Sequence, residues 1–518
     1  MKEQRIPLVG SAVVKGENPY DYTSNTTRQE QLFQNCFVDI TRNAVTRSAR
    51  VTVNKRTGFS KTQVADVGYQ AGTGAVVWSG YSGGAKAAFA YNSGTNNTVY
   101  DSGGSIIGAL FVGPNTSYGL SETVISNVSN LVLTGRVSAT GEWQAWFYPE
   151  GGAWTQITDV DYPGRPTGVG GLGLQLTNGS VHMDGFMYVM TRSGLIYNSD
   201  LNSLANWTAT SFIAAQFSPD LGVGLNKVKN YIIAFGEGSV EFFVNTGNAT
   251  GSPLSPVRGG SLKIGAYVYS ISYPCSQTIG NAVYFIGKSL DSGALGVYVT
   301  TGPGALQKIS NTTVDKWATE FSAGGLVIYL SGSFVMLGMQ HLMLTLAASG
   351  TADQTMQHAV YCVDTQTWWF FNSGNAYAPT SILGFNGKSY FICENASGSE
   401  GRNLYSTDAH LPIYQDDSTN YQMSMQVGPI DHGTHRRKFY GAIEVICDTQ
   451  TTAGNLAVSW SDDGGVTFST ARNVDTSVPR KRLTRCGSSR RRIWKFTESE
   501  NRPFRGDAID LTFDVGAN

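Results

Sequence analysis

Charged residues make up only 14% of this 518-residue chain, against about 25% in an average soluble domain. Cysteine is sparse as well. Six thiols, at Cys36, Cys275, Cys362, Cys393, Cys447 and Cys486, lie far apart with no Cys-x-x-Cys pair, which excludes a clustered zinc site and a dense disulfide framework and leaves buried free thiols as the expectation. Among the six histidines, His182, His341, His358, His410, His432 and His435, no His-Glu-x-x-His spacing occurs. No cofactor or metal is therefore expected. His432 and His435, beside Arg436, Arg437 and Lys438, read as a solvated basic loop. No apolar run follows the charged start Met1-Lys-Glu-Gln-Arg5, so no secretory signal is expected and folding in a cytosol is.

The one uncharged stretch long enough for a bilayer, Leu326 to Ala347, is broken by Ser331-Gly332-Ser333 and carries Gln340-His341. Two or three buried strands fit it better than a membrane span. A net charge of −1 argues against wholesale binding to nucleic acid or anionic membrane.

Glycine and aromatics are plentiful: 61 Gly, 25 Tyr, 24 Phe and 10 Trp. Short aromatic or β-branched runs recur from about residue 60 to 420, among them Glu142–Tyr148, Gly185–Met190, Tyr231–Phe235, Ala282–Ile286, Val327–Leu330, Ala359–Val363 and Ser389–Ile392, each followed by turn residues. A spacing of about 30–50 residues between such units is that of β-propeller blades, small sheets that bury both faces on their neighbours. Asp364-Thr-Gln-Thr367 reads as a hairpin turn inside one blade. The expected fold class is all-β: a propeller over 61–420, an N-terminal arm with a few strands over 1–60, and a β-sandwich-like domain of five or six strands over 421–518. The terminal pieces are expected to join as one platform, because neither looks able to close a core alone.

Reactive groups do not converge. Glu237 and Glu241 lie about 13 Å apart along a strand, beyond the roughly 5–9.5 Å of a glycosidase pair. Ser461-Asp-Asp-Gly-Gly-Val-Thr-Phe468 is similar to the Asp box of sialidase-type propellers, a structural hairpin in which Asp463 bonds its own turn amides. It keeps open an alternative, a glycan-binding or glycan-cleaving propeller.

Ser211–Asp220, followed by Tyr231-Ile-Ile-Ala-Phe-Gly-Glu-Gly-Ser-Val-Glu-Phe-Phe-Val-Asn-Thr-Gly247, resembles the tail-nozzle, or packaged-DNA-stabilisation, proteins of short-tailed bacteriophages. Asp220, Phe235, Gly236, Glu241 and Gly247 carry the central match, with Pro253 or Pro256 and Gly265 after it. Ser461, Asp463 and Gly465 carry the C-terminal match. Gln31–Phe37, Tyr197–Leu201 with Trp207, and Leu306–Ser310 extend it. The chain departs from the pattern at Thr57-Gly58-Phe59, and residues 80–160 do not align with it. The resemblance implies a non-enzymatic subunit of a ring, a hexamer, below the portal and its adaptor. Its partners would be other copies of itself, the adaptor, fibres, spikes or a tip protein, and double-stranded DNA in passage. The implied place is the virion tail, after assembly in the bacterial cytoplasm.

From Arg480 to Arg505 the chain holds ten Lys/Arg against Glu498 and Glu500. Arg480, Lys481, Arg482, Arg485, Arg490, Arg491, Arg492 and Lys495 are the candidates for an assembly interface or for DNA contact at a channel mouth. The remaining reading is a solvated hairpin turning at Cys486–Ser489, with Trp494 and Phe496 packed inward.

Overall fold

The computed structural model describes residues 2–8, 33–42, 49–62, 71–92, 96–109, 111–112, 116–137, 140–268, 274–323, 327–347, 358–373, 378–394, 403–408 and 412–516. Most of the N-terminal arm, Gln31–Leu32 of its motif, and His410 fall outside them.

The repeated aromatic runs form seven antiparallel meanders, numbered here as blades 1–7. Blades 1–5 are separate sheets: strands between Ala71 and Val112, between Thr116 and Gln156, between Val181 and Ala214, between Gly222 and Pro256, and between Gly265 and Lys308. Blades 6 (Val327–Phe371) and 7 (Ala378–Asp408) belong to a 13-stranded sheet, joined where their first strands pair in parallel, Gly332 with Ile382 and Ser333 with Leu383. The N-terminal pair Ser60–Lys61 adds the outer strand of blade 7.

Why the blade strands read as unbroken apolar runs is visible in Tyr231–Gly236. Ile233 and Phe235 point to one face and pack with Val283 and Phe285 of blade 5. Their neighbours Ile232 and Ala234 point to the other and pack with Tyr188, Met190 and Ile196 of blade 3. A strand covered on both faces loses the polar alternation of a half-exposed one. Seven hydrophobic clusters fill the seven junctions in order, and the last, Phe89 and Tyr91 against Tyr390 and Ile392, closes blade 7 on blade 1. The ring is complete.

Residues 80–160, which matched no family pattern, are blades 1 and 2. The uncharged stretch is two strands, Val327–Met336 and Met339–Ala347, but it turns at Leu337-Gly338, whereas Gly332 is only a bulge within the first strand. No helix among the described residues is long and apolar enough to cross a membrane. Their one α-helix, Thr312–Ala323, follows blade 5; Asn311 caps it through the Val314 amide, and Val314, Trp317 and Ala318 seal the junction of blades 5 and 6.

The terminal segments build the second part of the fold. Strand Arg505–Val515 pairs with Lys2–Pro7 over Ala508–Phe513 and with Lys438–Cys447, and touches the end of Ala49–Lys55. This seven-stranded sheet packs over Asn455–Ser461, Arg492–Glu498 and Met423–Ile430, which continue the 13-stranded sheet outward from blade 6 through Phe33–Gln34. The C-terminal region contains eight strands rather than five or six, three of them only two to four residues long. One core joins the sandwich (Ile443, Leu511, Trp494, Phe496) to blades 6 and 7 (Phe334, Trp369, Ile382, Phe391). The sandwich is thus welded to the ring, and removing residues 421–518 would strip apolar surface from two blades instead of leaving a finished propeller.

Candidate assembly face

The family-motif residues come together at the crossing from blade 3 to blade 4. Asp220 accepts the Gly238 amide at 2.6 Å and the Ser239 hydroxyl, so its carboxylate holds the hairpin that follows Phe235. A β-carbon on Gly236 would stand 2.4 Å from that carboxylate, which is why glycine follows Phe235. Glu241, buried, accepts the Phe217 amide at 2.9 Å; burial raises its pKa. Phe235 is core, and Gly247 ends the unit in the left-handed region at φ 67°. Gly265, in the next blade, lies against the Glu237 carbonyl, where a β-carbon would come within 1.6 Å. Glu237 itself is spent on an ion pair with Arg192. All of these groups serve the backbone or its ion pairs.

The Asp box is equally occupied. Asp463 accepts the Val466 and Thr467 amides at 3.0 Å and the Thr467 hydroxyl at 2.6 Å, while Ser461 donates to Asp463 and accepts the Gly465 amide at 2.8 Å. These donors hold the Asp463 carboxyl well below the usual carboxylate range. Gly465 turns at φ 91°.

The basic run divides in two. Arg492 is buried: it forks onto the Asp462 carboxylate at 2.7 and 2.8 Å, and its guanidinium lies 4.6–5.2 Å from the rings of Tyr440, Trp460 and Trp494. Lys481 is also buried, with its ammonium 2.9 Å from the Thr449 hydroxyl. Neither belongs to a solvated hairpin or an open interface, a correction to what the charge run suggested. Trp494 and Phe496 do pack inward. Arg482, Arg485, Arg490 and Arg491 are exposed, Lys495 is half-buried over Phe468, and Arg480 is exposed but paired with Glu444 at 2.8 Å. His432 is drawn into the sandwich, its ring 3.9 Å from that of Phe513, and burial lowers its pKa to about 4. It is half-buried, whereas His435 is exposed. All six cysteines are free; five are buried and Cys447 is half-buried.

Sequence reasoning missed the joint between sandwich and ring. Arg56, fully buried, places its Nε on Asn35 Oδ1 at 2.9 Å, one terminal nitrogen on the Thr57 carbonyl and Asp416 Oδ1, and the other on the Asn372 carbonyl and Asp416 Oδ2. Its guanidinium stacks 3.6 Å from the Tyr421 ring, and the Tyr421 hydroxyl donates to the Arg56 carbonyl. Next to it Lys55 meets Glu498 at 2.5 Å, and Arg502 meets Glu498 and Glu500. These residues tie the N-terminal segment, blade 6, the 412–421 connection and the C-terminal sheet to one point.

A closed ring of blades with a sandwich built from both chain ends defines a propeller-and-platform protein whose motif residues support its own turns. The family model of the Phage_stabilise proteins, described as "Bacteriophage P22 Gp10, beta-propeller", matches residues 137–400, and the chain belongs to that family. No curated protein matches the sequence. Similar solved structures include a virginiamycin B lyase from Staphylococcus aureus (11% identity, covering 68% of this chain and 99% of that one, TM-score 0.40). Others are an exo-beta-1,3-galactanase from Phanerochaete chrysosporium (8%, 80% and 98%, 0.31) and the propeller domain of the Trilobed protease from Pyrococcus furiosus (6%, 73% and 92%, 0.34).

Proposed function

We propose that this phage structural protein is a tail nozzle: copies form a ring, a hexamer, below the portal and its adaptor, continue the DNA channel, retain the packaged genome and pass it during ejection. The observation that carries the reading is the family match over residues 137–400. Two features support it. The motif carboxylates are committed to backbone amides and ion pairs, as in a scaffold. The two chain ends share one sheet, which suits a platform of residues 1–60 and 421–518 that docks on the adaptor while the propeller of 61–420 points away from the capsid toward fibres, spikes or a tip protein. A conduit also gains nothing from a strong phosphate grip, which adds friction and salt dependence, and the net charge of −1 is in keeping with that.

Negative-stain microscopy of the purified chain with its adaptor tests this. Rings stacked coaxially on the adaptor are the expected result. A monomer that ignores the adaptor, and whose melting temperature rises with a sugar, would replace the nozzle by the glycan-binding or glycan-cleaving alternative suggested by the Asp box.

A further inference from the structure

The outer face of the seven-stranded platform sheet carries cross-strand ion pairs, Arg5 with Asp510, Arg50 with Asp507 and Arg480 with Glu444. Its carboxylates there are largely matched within the chain. Positive charge is left over at one end. Lys438 pairs in register with Ser489, so Arg437 and Arg490, the next residue on each strand, lie side by side. Both are exposed, as are Arg436 and, beside them, Phe439, at 51%. Lys438 between them points inward and gives its ammonium to the Thr434 and Arg490 carbonyls. Asp514, opposite Phe439, and exposed Asp431, near Lys438, are two acids at this end, against Arg436, Arg437 and Arg490. An aromatic side chain ringed by arginines is the composition of an interface centre rather than of free surface.

The complementary surface lies on the same chain. At the rim of blades 2 and 3, Asp159 accepts the Trp207 amide at 3.0 Å, Asp200 accepts the Thr208 hydroxyl at 2.9 Å, and Leu201 reaches over Gly185 in the hairpin that carries Asp184. These contacts gather Asp159, Asp161, Asp184 and Asp200 around Val160 and Leu201, which are 51% and 61% exposed. Of the cations on this side, Lys227 is bound to the His182 carbonyl at 2.9 Å and Arg165, in the turn that follows Asp161, is half-buried.

Position decides how these surfaces can meet. The sandwich joins the ring at blades 6 and 7, so the acidic rim stands about three blades away in one direction and four in the other, on the far side of the propeller. The two patches of one copy cannot touch each other. An arginine patch also cannot face itself across a twofold axis without like-charge repulsion, which excludes an isologous dimer through it. Opposite patches on opposite sides are what a head-to-tail contact needs, and such a contact repeats around a ring.

Resting on the nozzle reading, we propose that the ring closes through a heterologous contact in which Arg437, Phe439 and Arg490 of one copy seat on Asp161, Asp184, Asp200, Val160 and Leu201 of the next. The test is reciprocal charge reversal, read by sedimentation velocity and microscopy of the full chain. Arg437→Glu with Arg490→Glu, and separately Asp161→Lys with Asp200→Lys, should each raise the concentration at which rings form by at least about tenfold. All four sites are exposed or half-buried, and circular dichroism melting checks that each variant folds. Mixing the two defective variants should restore rings, since each platform then meets a rim of opposite sign, and the fourfold variant should assemble alone. Wild-type rings indifferent to both reversals overturn the contact while leaving the nozzle standing. Normal rings with lost DNA retention in the arginine variant assign the patch to DNA instead. A wild-type chain that stays monomeric with and without adaptor overturns the nozzle and this contact together.

Discussion

Replacing Arg56 with Met removes the charged partner of Asp416 while keeping most of the side-chain volume between Tyr421 and Phe371. Both members of this pair are 0% exposed, so solvent cannot step in. The five hydrogen bonds of the guanidinium vanish, so that two carbonyls and Asn35 Oδ1 each lose a donor and the Asp416 carboxylate loses two. Breaking a buried pair from one side costs about 3–5 kcal/mol, mainly because the remaining charge is stranded. That is roughly a hundred- to several-thousandfold in the folded-to-unfolded ratio, at about 1.4 kcal/mol per decade. Urea unfolding followed by tryptophan fluorescence, which reports on Trp369 and Trp494 in the shared core, should show the midpoint falling. Adding Asp416→Asn to Arg56→Met should then cost less than the sum of the two single changes, because the stranded charge is gone. A loss below about 1 kcal/mol for Arg56→Met, or strict additivity with Asp416→Asn, would refute the claim that this cluster holds sandwich and ring together.

The two halves of the basic run should respond differently: Arg492→Ser should cost about 2–4 kcal/mol through the emptied aromatic cage and the Cys486 carbonyl that loses its guanidinium donor, Asp462 being exposed to solvent, and Arg490→Ser less than about 0.5 by denaturant unfolding. Arg490–Arg492 changed together to Ser should therefore lower the melting temperature, against the expectation for an exposed patch. His432 has its pKa lowered to about 4 from 6.5, so the unfolded chain binds the proton first; stability is full above about pH 6.5 and falls as pH drops toward 4, a slope that His432→Phe should flatten in pH-dependent melts. Burial raises the thiol pKa of Cys36, Cys275 and Cys393, and pushes half-buried Cys447 to about 11; a thiol reagent at neutral pH should leave the folded chain essentially unlabelled until denaturant is added, with mass spectrometry locating any early label at Cys447.

What the sequence made legible was what repeats locally. Tyr231–Phe235 announces a strand covered on both faces, and the turn residues between such runs announce blades. Asp220, Gly236 and Glu241 stood out through the family resemblance, whereas the turns their carboxylates hold, at Gly238–Ser239 and Phe217, are visible only in the fold. Arg56 left no trace of this kind: its partners sit 21, 316 and 360 residues away, and a lone arginine before Thr57-Gly58 looks like any other. The fate of Arg492 was within reach. It stands two and four residues before Trp494 and Phe496, so strand alternation puts all three on the inward face; treating the whole charge run as outward-facing, toward an interface, DNA or solvent, hid that.

The joint also bears on how the protein could work as a conduit. A propeller on a flexible tether would let the ring tilt against its platform, and a channel passing through both would lose its alignment. Here the platform and blades 6 and 7 share one 13-stranded sheet and one core, and the N-terminal segment crosses from one to the other, running as Ala49–Lys55 in the platform and then as Ser60–Lys61 in blade 7. Between those two strands lies Arg56, with its charge neutralised by a residue of the 412–421 connection. Bending at this junction would break backbone ladders and strand a buried ion pair at the same time. Motion in the proposed nozzle therefore belongs between copies, at contacts that salt and charge can loosen, rather than inside each one.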